Sequence, residues 1–464
     1  MPSTSMRVAA LLACAPLALA APKTTAAKQA AAASSPAPPI RSHPTSISHG
    51  PYSGIPLATG ALSNSIVGTG IPSLPPNPAA TSYPSDGRLH EPQPAPYVPA
   101  GGMGTNGTPP VYNAKSDFDY ESLALALYQE WIELDLFHDG LARFSEQDFT
   151  AAGLTAEDRY LIQFMAEQEA GHATMISNIL GAQAPQQCTY NYPYRTVREF
   201  IDFSQKLTRF GESGVYGFLP HLDSREAAQL LLQSITTEAR QQMILRQFDG
   251  LFPVPVWFEV GVPQSWAWTL LAPFISSCPA GQTRLVWQNF PALWILNQPN
   301  PARVNASAGY NETISAGMNT LSSANLTTSE ACAYSNNTLD DCKPAITQNR
   351  TIPLSYPGRR VFLSWETPGK PVGPNNSYVT SSQAGSPKYV AWVTQLNVTY
   401  SSLDVTNATS GSTVQPNVET YAGDPAINGT MFIAITDDDP YLTPFNLSLI
   451  NRHVVAGPAL YQAG

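Results

Sequence analysis

Charge is what this 464-residue chain has least of. Asp, Glu, Lys and Arg make up 12% of it, about half of the roughly 25% usual in a soluble domain. The charge present sums to -10, and no run of Lys and Arg supplies the electrostatic footprint of a nucleic-acid binder. Nucleic acid is thereby excluded as a partner. After the N-terminal leader no uninterrupted stretch of about 18 apolar residues occurs, so no stable membrane insertion is expected. The C-terminal VVAGPALYQAG is too short and too broken for the tail of a lipid anchor. Cysteine is sparse, at five, and no two form a C-x-x-C pair, which argues against a thiolate metal site. Beyond helical periodicity there is no internal repeat.

What is present at the N-terminus reads as a secretory signal over residues 1–20. Arg7 supplies the positive start, and VAALLACAPLALA ends in Ala18-Leu19-Ala20, an A-x-A-type cleavage site. The expected product is secreted, extracellular or held at the cell wall. Cys14 lies in the leader, leaving Cys188, Cys278, Cys332 and Cys342. An even number in an oxidising compartment suggests two disulfides. Three pairings are open, and Cys188–Cys278 with Cys332–Cys342 is favoured because each bridge then stays within one region. Asn-x-Ser/Thr sequons stand at Asn106, Asn305, Asn311, Asn325, Asn336, Asn349, Asn375, Asn397, Asn407, Asn428 and Asn446. Their crowding after Asn305, behind a leader, predicts a glycoprotein. Glycans would keep a charge-poor surface soluble.

Three further regions follow the leader. Residues 21–116 are rich in Pro, Ser, Thr, Ala and Gly, with too little apolar periodicity to bury a core, and are expected to be a disordered arm. Residues 117–300 carry long segments with apolar residues at helical spacing. Residues 301–464 change again: RRVFLSW, KYVAWVTQLNVTY and GTMFIAIT are short β-prone runs divided by Gly, Pro, Asn and Asp, as in a small sheet or sandwich.

The helical region resolves into four long helices with polar residues on the apolar face. The first, from about Tyr120 to Phe144, has a seam of Leu123, Leu127, Leu134, Phe137 and Leu141, and Glu130 fills its one vacant slot. Glu133 falls off that seam and is expected at the rim. The second opens at Thr155 with Asp158 behind it and runs to about Leu180. Its seam of Leu161, Met165, Ile176 and Ile179 is interrupted by Glu169 and His172, while Glu167 projects elsewhere. A third, roughly Thr196 to Leu219, carries Glu212 on a stripe through Val197, Ile201, Thr208 and Val215. Gly211, Gly214 and Gly217 weaken it, by about 1 kcal/mol each relative to Ala, and allow a close helix contact or a kink. The fourth starts at Asp223, with Glu226 as in a capping box, and places Glu238 and Gln241 among Ala227, Leu231, Leu245 and Phe248. A fifth segment, PQSWAWTLLAPFISSC, is expected to pack as core or as a lid over the bundle.

Each long helix thus turns a carboxylate inward. An unpaired buried carboxylate is strongly unfavourable, and four converging would repel until they held protons. A divalent cation removes the problem. Helix bundles build such sites from one Glu on each of two helices and a Glu-x-x-His on each of the other two. Glu130 and Glu212 are the candidate single ligands, Glu169 with His172 one pair, and Glu238 with Gln241 the other. The Gln is a poorer donor than imidazole for a transition metal. The site therefore holds one metal, holds two weakly, or survives as a hydrogen-bonded polar core.

On these residues, and on EQEAGHATMI, SWAWTLLAPFISSCPAGQTRLVWQNFPAL and the closing VVAGPALY, the chain resembles the ferritin-like superfamily. Within it, the stretch from FDYESLALALYQEWIELDLFHDGL to WQNFPALWILNQP is similar to secreted fungal members known as stress- and nutrient-regulated or late-sexual-development proteins. Plant desiccation-related proteins are more distant relatives. The resemblance implies a ferritin-like four-helix bundle, followed here by a smaller β-rich region, with iron or manganese as the cofactor and Glu130, Glu169, His172, Glu212 and Glu238 at ligand positions. The missing histidine favours a non-catalytic secreted protein whose partners are cell-wall polysaccharide or other proteins. A metal-dependent oxidoreductase acting on oxygen or peroxide is the alternative.

Overall fold

Side-chain caps set the starts of the four long helices and of the short one between the first two. In the computed structural model, which describes residues 86, 87, 90, 112–282, 284–299, 351, 355–420, 424–426 and 429–464, α1 spans Asp117–Arg143 behind Ser116, whose hydroxyl accepts the N–H of Asp119. A short α2, Glu146–Ala151, follows behind Ser145. The long α3, Ala156–Leu180, carries the Thr155/Asp158 capping box read from the sequence. Thr196 and Glu199 form a second box before α4, Val197–Phe218. The cap of α5, Arg225–Phe248, differs from expectation. Ser224 is the N-cap, because the N–H groups of Asp223 and Ser224 are both taken by the Asp119 carboxylate, at 2.7 and 2.8 Å. Glu226 instead pairs with Lys115 at 2.7 Å. Asp119 thereby ties the start of α1 to the start of α5.

These helices form the expected bundle, and its interior continues into the β-rich part. A shorter α6, Gln264–Leu271, lies against the bundle with Trp266 and Trp268 fully buried. Trp268 meets Tyr128 of α1 at 5.4 Å and Tyr378 at 5.2 Å between ring centroids. This is the core role expected of that segment. The glycines of α4 are sites of close approach. A Cβ on Gly211 would meet Gln129, one on Gly214 would meet Ala267, and one on Gly217 would fall 1.8 Å from the carbonyl oxygen of Val262.

Strands β1, Thr189–Tyr190, and β2, Ile275–Ser277, pair beside a disulfide between Cys188 and Cys278. Next in the chain are β3 (Leu293–Ile295), β4 (Arg360–Trp365), β5 (Pro371–Val372), β6 (Tyr378–Val379), β7 (Tyr389–Val393), β8 (Val398–Ser402), β9 (Asp404–Asn407), β10 (Ser410–Val414), β11 (Thr430–Thr436) and β12 (Val454–Gln462). They build two four-stranded antiparallel sheets, in the orders β3-β4-β10-β9 and β12-β11-β7-β8, and the small β5-β6 pair. The central strands of the second sheet, β7 and β11, are buried on both faces. Met431, Ile433 and Ile435 of β11 join Val361, Leu363 and Trp365 of the first sheet in one core, whereas Phe432 and Ala434 join the core of the bundle. Alternation of side chains along a strand, with apolar matter on both sides, is why MFIAI reads as an unbroken apolar run. Because β3 pairs with β4, the β-rich part begins before residue 300. Helices and sheets belong to one compact unit.

No helix among the described residues is long and apolar enough to cross a membrane. Of the sequons, Asn375 and Asn407 are exposed and Asn397 and Asn446 half-buried. Asn106, Asn305, Asn311, Asn325, Asn336, Asn349 and Asn428 lie outside the described residues, as do Cys332, Cys342, the leader and most of the arm. Residues 112–116, assigned to the arm from the sequence, are already part of the packed structure: Ala114 is buried in the core and Ser116 caps α1.

Candidate metal centre

Three helices deliver polar side chains to one point in the bundle. Glu130 comes from α1, Glu169 and His172 from successive turns of α3, and Glu238 from α5. Each offers a ligand atom, and these atoms all lie within 4.8 Å of one another. The three carboxylates are buried, and the His172 side chain keeps 11% of its surface exposed. His172 Nδ1 stands 3.2 Å from Glu130 Oε2, 3.0 Å from Glu169 Oε2 and 3.8 Å from Glu238 Oε1. On the other side of the ring, Nε2 stands 3.0 Å from the Thr237 hydroxyl.

Gln241, in the place of a second histidine, turns its amide inward. Its Nε2 donates to Glu169 Oε1 and, at 3.3 Å, to Gln168 Oε1. Its Oε1 is buried with no donor among the described residues, and the same holds for Glu238 Oε2.

Glu212 is not brought into this group. It is fully buried, but Arg209, one turn earlier on α4, holds it at 3.0 Å, and the Tyr216 hydroxyl donates to it at 3.1 Å. Arg209 also pairs with Glu259 at 2.5 Å. The negative charge of Glu212 is thus answered within its own helix, so the pattern-based expectation of a ligand from α4 is not met. The Arg-x-x-Glu spacing was the signal, since i,i+3 pairs face each other on a helix.

Glu133 differs in the opposite sense. Expected at the rim, it is completely buried. The Gln129 amide donates to its Oε1 at 2.6 Å, and its Oε2 has no donor among the described residues. It lies one turn beyond Glu130, at the same three-residue spacing that links Glu169 to His172, and that spacing was the overlooked clue. On α3, Leu161 of the expected seam is exposed and Ile162 is buried in its stead. The seam was set one residue off at its start.

So many carboxylates in one dry space perturb one another. Burial pushes Glu133 and Glu238 well above the usual carboxylate range, and the neighbouring carboxylates add to the rise. Glu130 is raised by burial too, with His172 pulling the other way. For His172, burial alone favours the neutral ring, but the ion pairs with Glu130 and Glu169 prevail and raise it. Protein groups alone therefore leave an acidic pocket balanced by one imidazolium and by bound protons. The orphaned oxygens of Glu238, Gln241 and Glu133 are acceptors awaiting a donor or a cation. Three carboxylates with one imidazole are a donor set suited to a first-row divalent metal. The group fits a metal ion, which Glu130, Glu169, His172 and Glu238 would hold.

Comparison with known proteins agrees with this architecture. The ferritin-like domain family matches residues 117–250, the span from α1 to just past α5. Protein rds1 of Schizosaccharomyces pombe is 52% identical over 373 residues, which cover 80% of this chain and 87% of that protein. The chain belongs to a fungal family of ferritin-like proteins that includes this relative.

Proposed function

We propose that this is a secreted, glycosylated ferritin-like protein whose bundle holds a divalent cation, iron or manganese, at a carboxylate site reduced from the two-metal pattern. The observation that carries the reading is the convergence of four ligand atoms within 4.8 Å around unpartnered buried oxygens. A cation there replaces protons on Glu130 and Glu238, and its binding free energy adds to folding stability. The reduction has two parts. Gln241 supplies an amide where the pattern has an imidazole, and Arg209 neutralises the α4 carboxylate. Without a second histidine and a carboxylate from α4, the cation's role is structural. The sequons and the charge-poor surface fit life outside the cell, with wall polysaccharide or another protein as partner of the β-rich part. An association with stress or development rests on the resemblance seen in the sequence.

A second reading, a metal-dependent oxidoreductase acting on oxygen or peroxide, is favoured by the partial exposure of His172. When bound, the metal would supply Lewis acidity and redox change. Glu133, with its raised affinity for protons and no place among the four ligands, would be the group to hold a proton beside it. One experiment separates the readings: protein recovered from culture medium is analysed for metal and then assayed with peroxide. The proposal expects about one iron or manganese per chain and no turnover of peroxide. Less than about 0.1 metal per chain with no uptake on titration would contradict both readings, whereas stoichiometric metal with turnover selects the second. Protein absent from the medium contradicts secretion.

A further inference from the structure

We infer that Thr237 is a positioning residue for the metal centre: its hydroxyl fixes the His172 tautomer so that Nδ1 presents its lone pair to the cation. The inference rests on the metal-site reading above. Its own argument is one of hydrogen-bond counting. A threonine hydroxyl has a single proton and two lone pairs. Thr237 Oγ1 lies 2.7 Å from the carbonyl oxygen of Ser234, which can only accept, so the hydroxyl proton is committed there. At 3.0 Å from His172 Nε2 the same oxygen must then accept, and Nε2 carries the hydrogen. A neutral imidazole has one N–H. In the metal-free imidazolium both nitrogens carry hydrogen; on the neutral ring that a cation would bind, the hydrogen stays on Nε2 and the bare nitrogen is Nδ1, the one that faces Glu130, Glu169 and Glu238.

The device is local. Ser234 lies one turn before Thr237 on α5, and Glu238 is the next residue, so the helix that supplies one ligand also sets the ring of another. Partners of this kind orient a metal-bound imidazole, and their loss typically weakens binding by about 10–100-fold. Here the partner is a hydroxyl, held in the accepting state by its own backbone.

The test compares Mn2+ affinity of the full chain, by calorimetric titration, for wild type, Thr237→Val, Thr237→Ser and Thr237→Ala. Valine keeps the shape and removes the acceptor, and serine keeps the acceptor. The expected result is binding at least about tenfold weaker in Thr237→Val and Thr237→Ala. Thr237→Ser should stay within about threefold of wild type, with metal-free melting temperatures that do not follow the affinity order. Equal affinity of wild type and the valine variant, or an equal loss in the serine variant, overturns the positioning role while leaving the site. Failure of wild type to bind Mn2+ overturns the metal reading, and this inference falls with it. If the valine variant does not fold, the alanine and serine pair decides.

Discussion

Glu121, one residue on α1, shows how burial becomes a dependence of stability on pH. Its carboxyl is 1% exposed and accepts the N–H of Val286 at 3.1 Å. Burial raises it to about 8, the Val286 hydrogen bond opposes the rise, and Asp117 and Asp86 add to it. The folded protein therefore keeps this proton after the unfolded chain has lost it. Stability is lost as pH rises from the ordinary glutamate value of 4.5 to about 8, at up to about 1.4 kcal/mol per unit, and is level above that. Glu121→Gln keeps the acceptor and has nothing to titrate. In urea unfolding, its stability relative to wild type should rise between pH 5 and 8 and then plateau. A difference that stays flat over that range contradicts the assignment. At this scale the sequence was partly legible. Glu130, Glu169, His172 and Glu238 occupy slots of apolar seams, and a polar residue in such a slot must face inward. Glu133 and Glu212 were misplaced because a seam gives direction but not neighbours. The Gln129 amide drew one inward and the Arg209 guanidinium satisfied the other, and both are contacts outside the stripe.

Among elements, α4 is the one shaped most by close approach. The backbone of Val262 lies where a side chain on Gly217 would begin. The obstacle is a carbonyl rather than a movable side chain, so Gly217→Ala should cost about 3 kcal/mol or more, beyond what helix propensity restores. Gly171 on α3 provides the contrast, being helical and exposed with nothing within 4 Å of an added Cβ. Gly171→Ala should be neutral or stabilising by up to about 1 kcal/mol. Paired urea titrations check both, and equal effects of the two substitutions would contradict the packing account. The long helices could be read because 3.6-residue periodicity accumulates over six or seven turns. The six-residue α2 has too few turns for a period to show, and only its Ser145 cap marks it. At α5 the cap was assigned one residue early, since the claim of Asp119 on the Asp223 and Ser224 N–H groups comes from a residue more than 100 positions away.

Across the whole molecule, the sheets complete the bundle. The β12-β11-β7-β8 sheet covers helices with one face and the other sheet with its second, so the bundle is not expected to be stable without it. Strand content was legible from β-prone runs, but sheet order was not. Pairing of β3 with β4 joins residues across a stretch of more than 60, and local pattern carries no record of so distant a partner. The disulfide between Cys188 and Cys278 spans 90 residues and fastens the α3–α4 connection to the segment after α6. The central claim is that this assembly gathers Glu130, Glu169, His172 and Glu238 about a single cation. The most direct measurement is a calorimetric titration of Mn2+ into metal-free wild type and Glu169→Ala. About one ion per wild-type chain, with binding lost or weakened at least about a hundredfold in the variant, is the predicted result. No heat of binding in wild type, or identical isotherms for the two proteins, would contradict it and leave a hydrogen-bonded polar core.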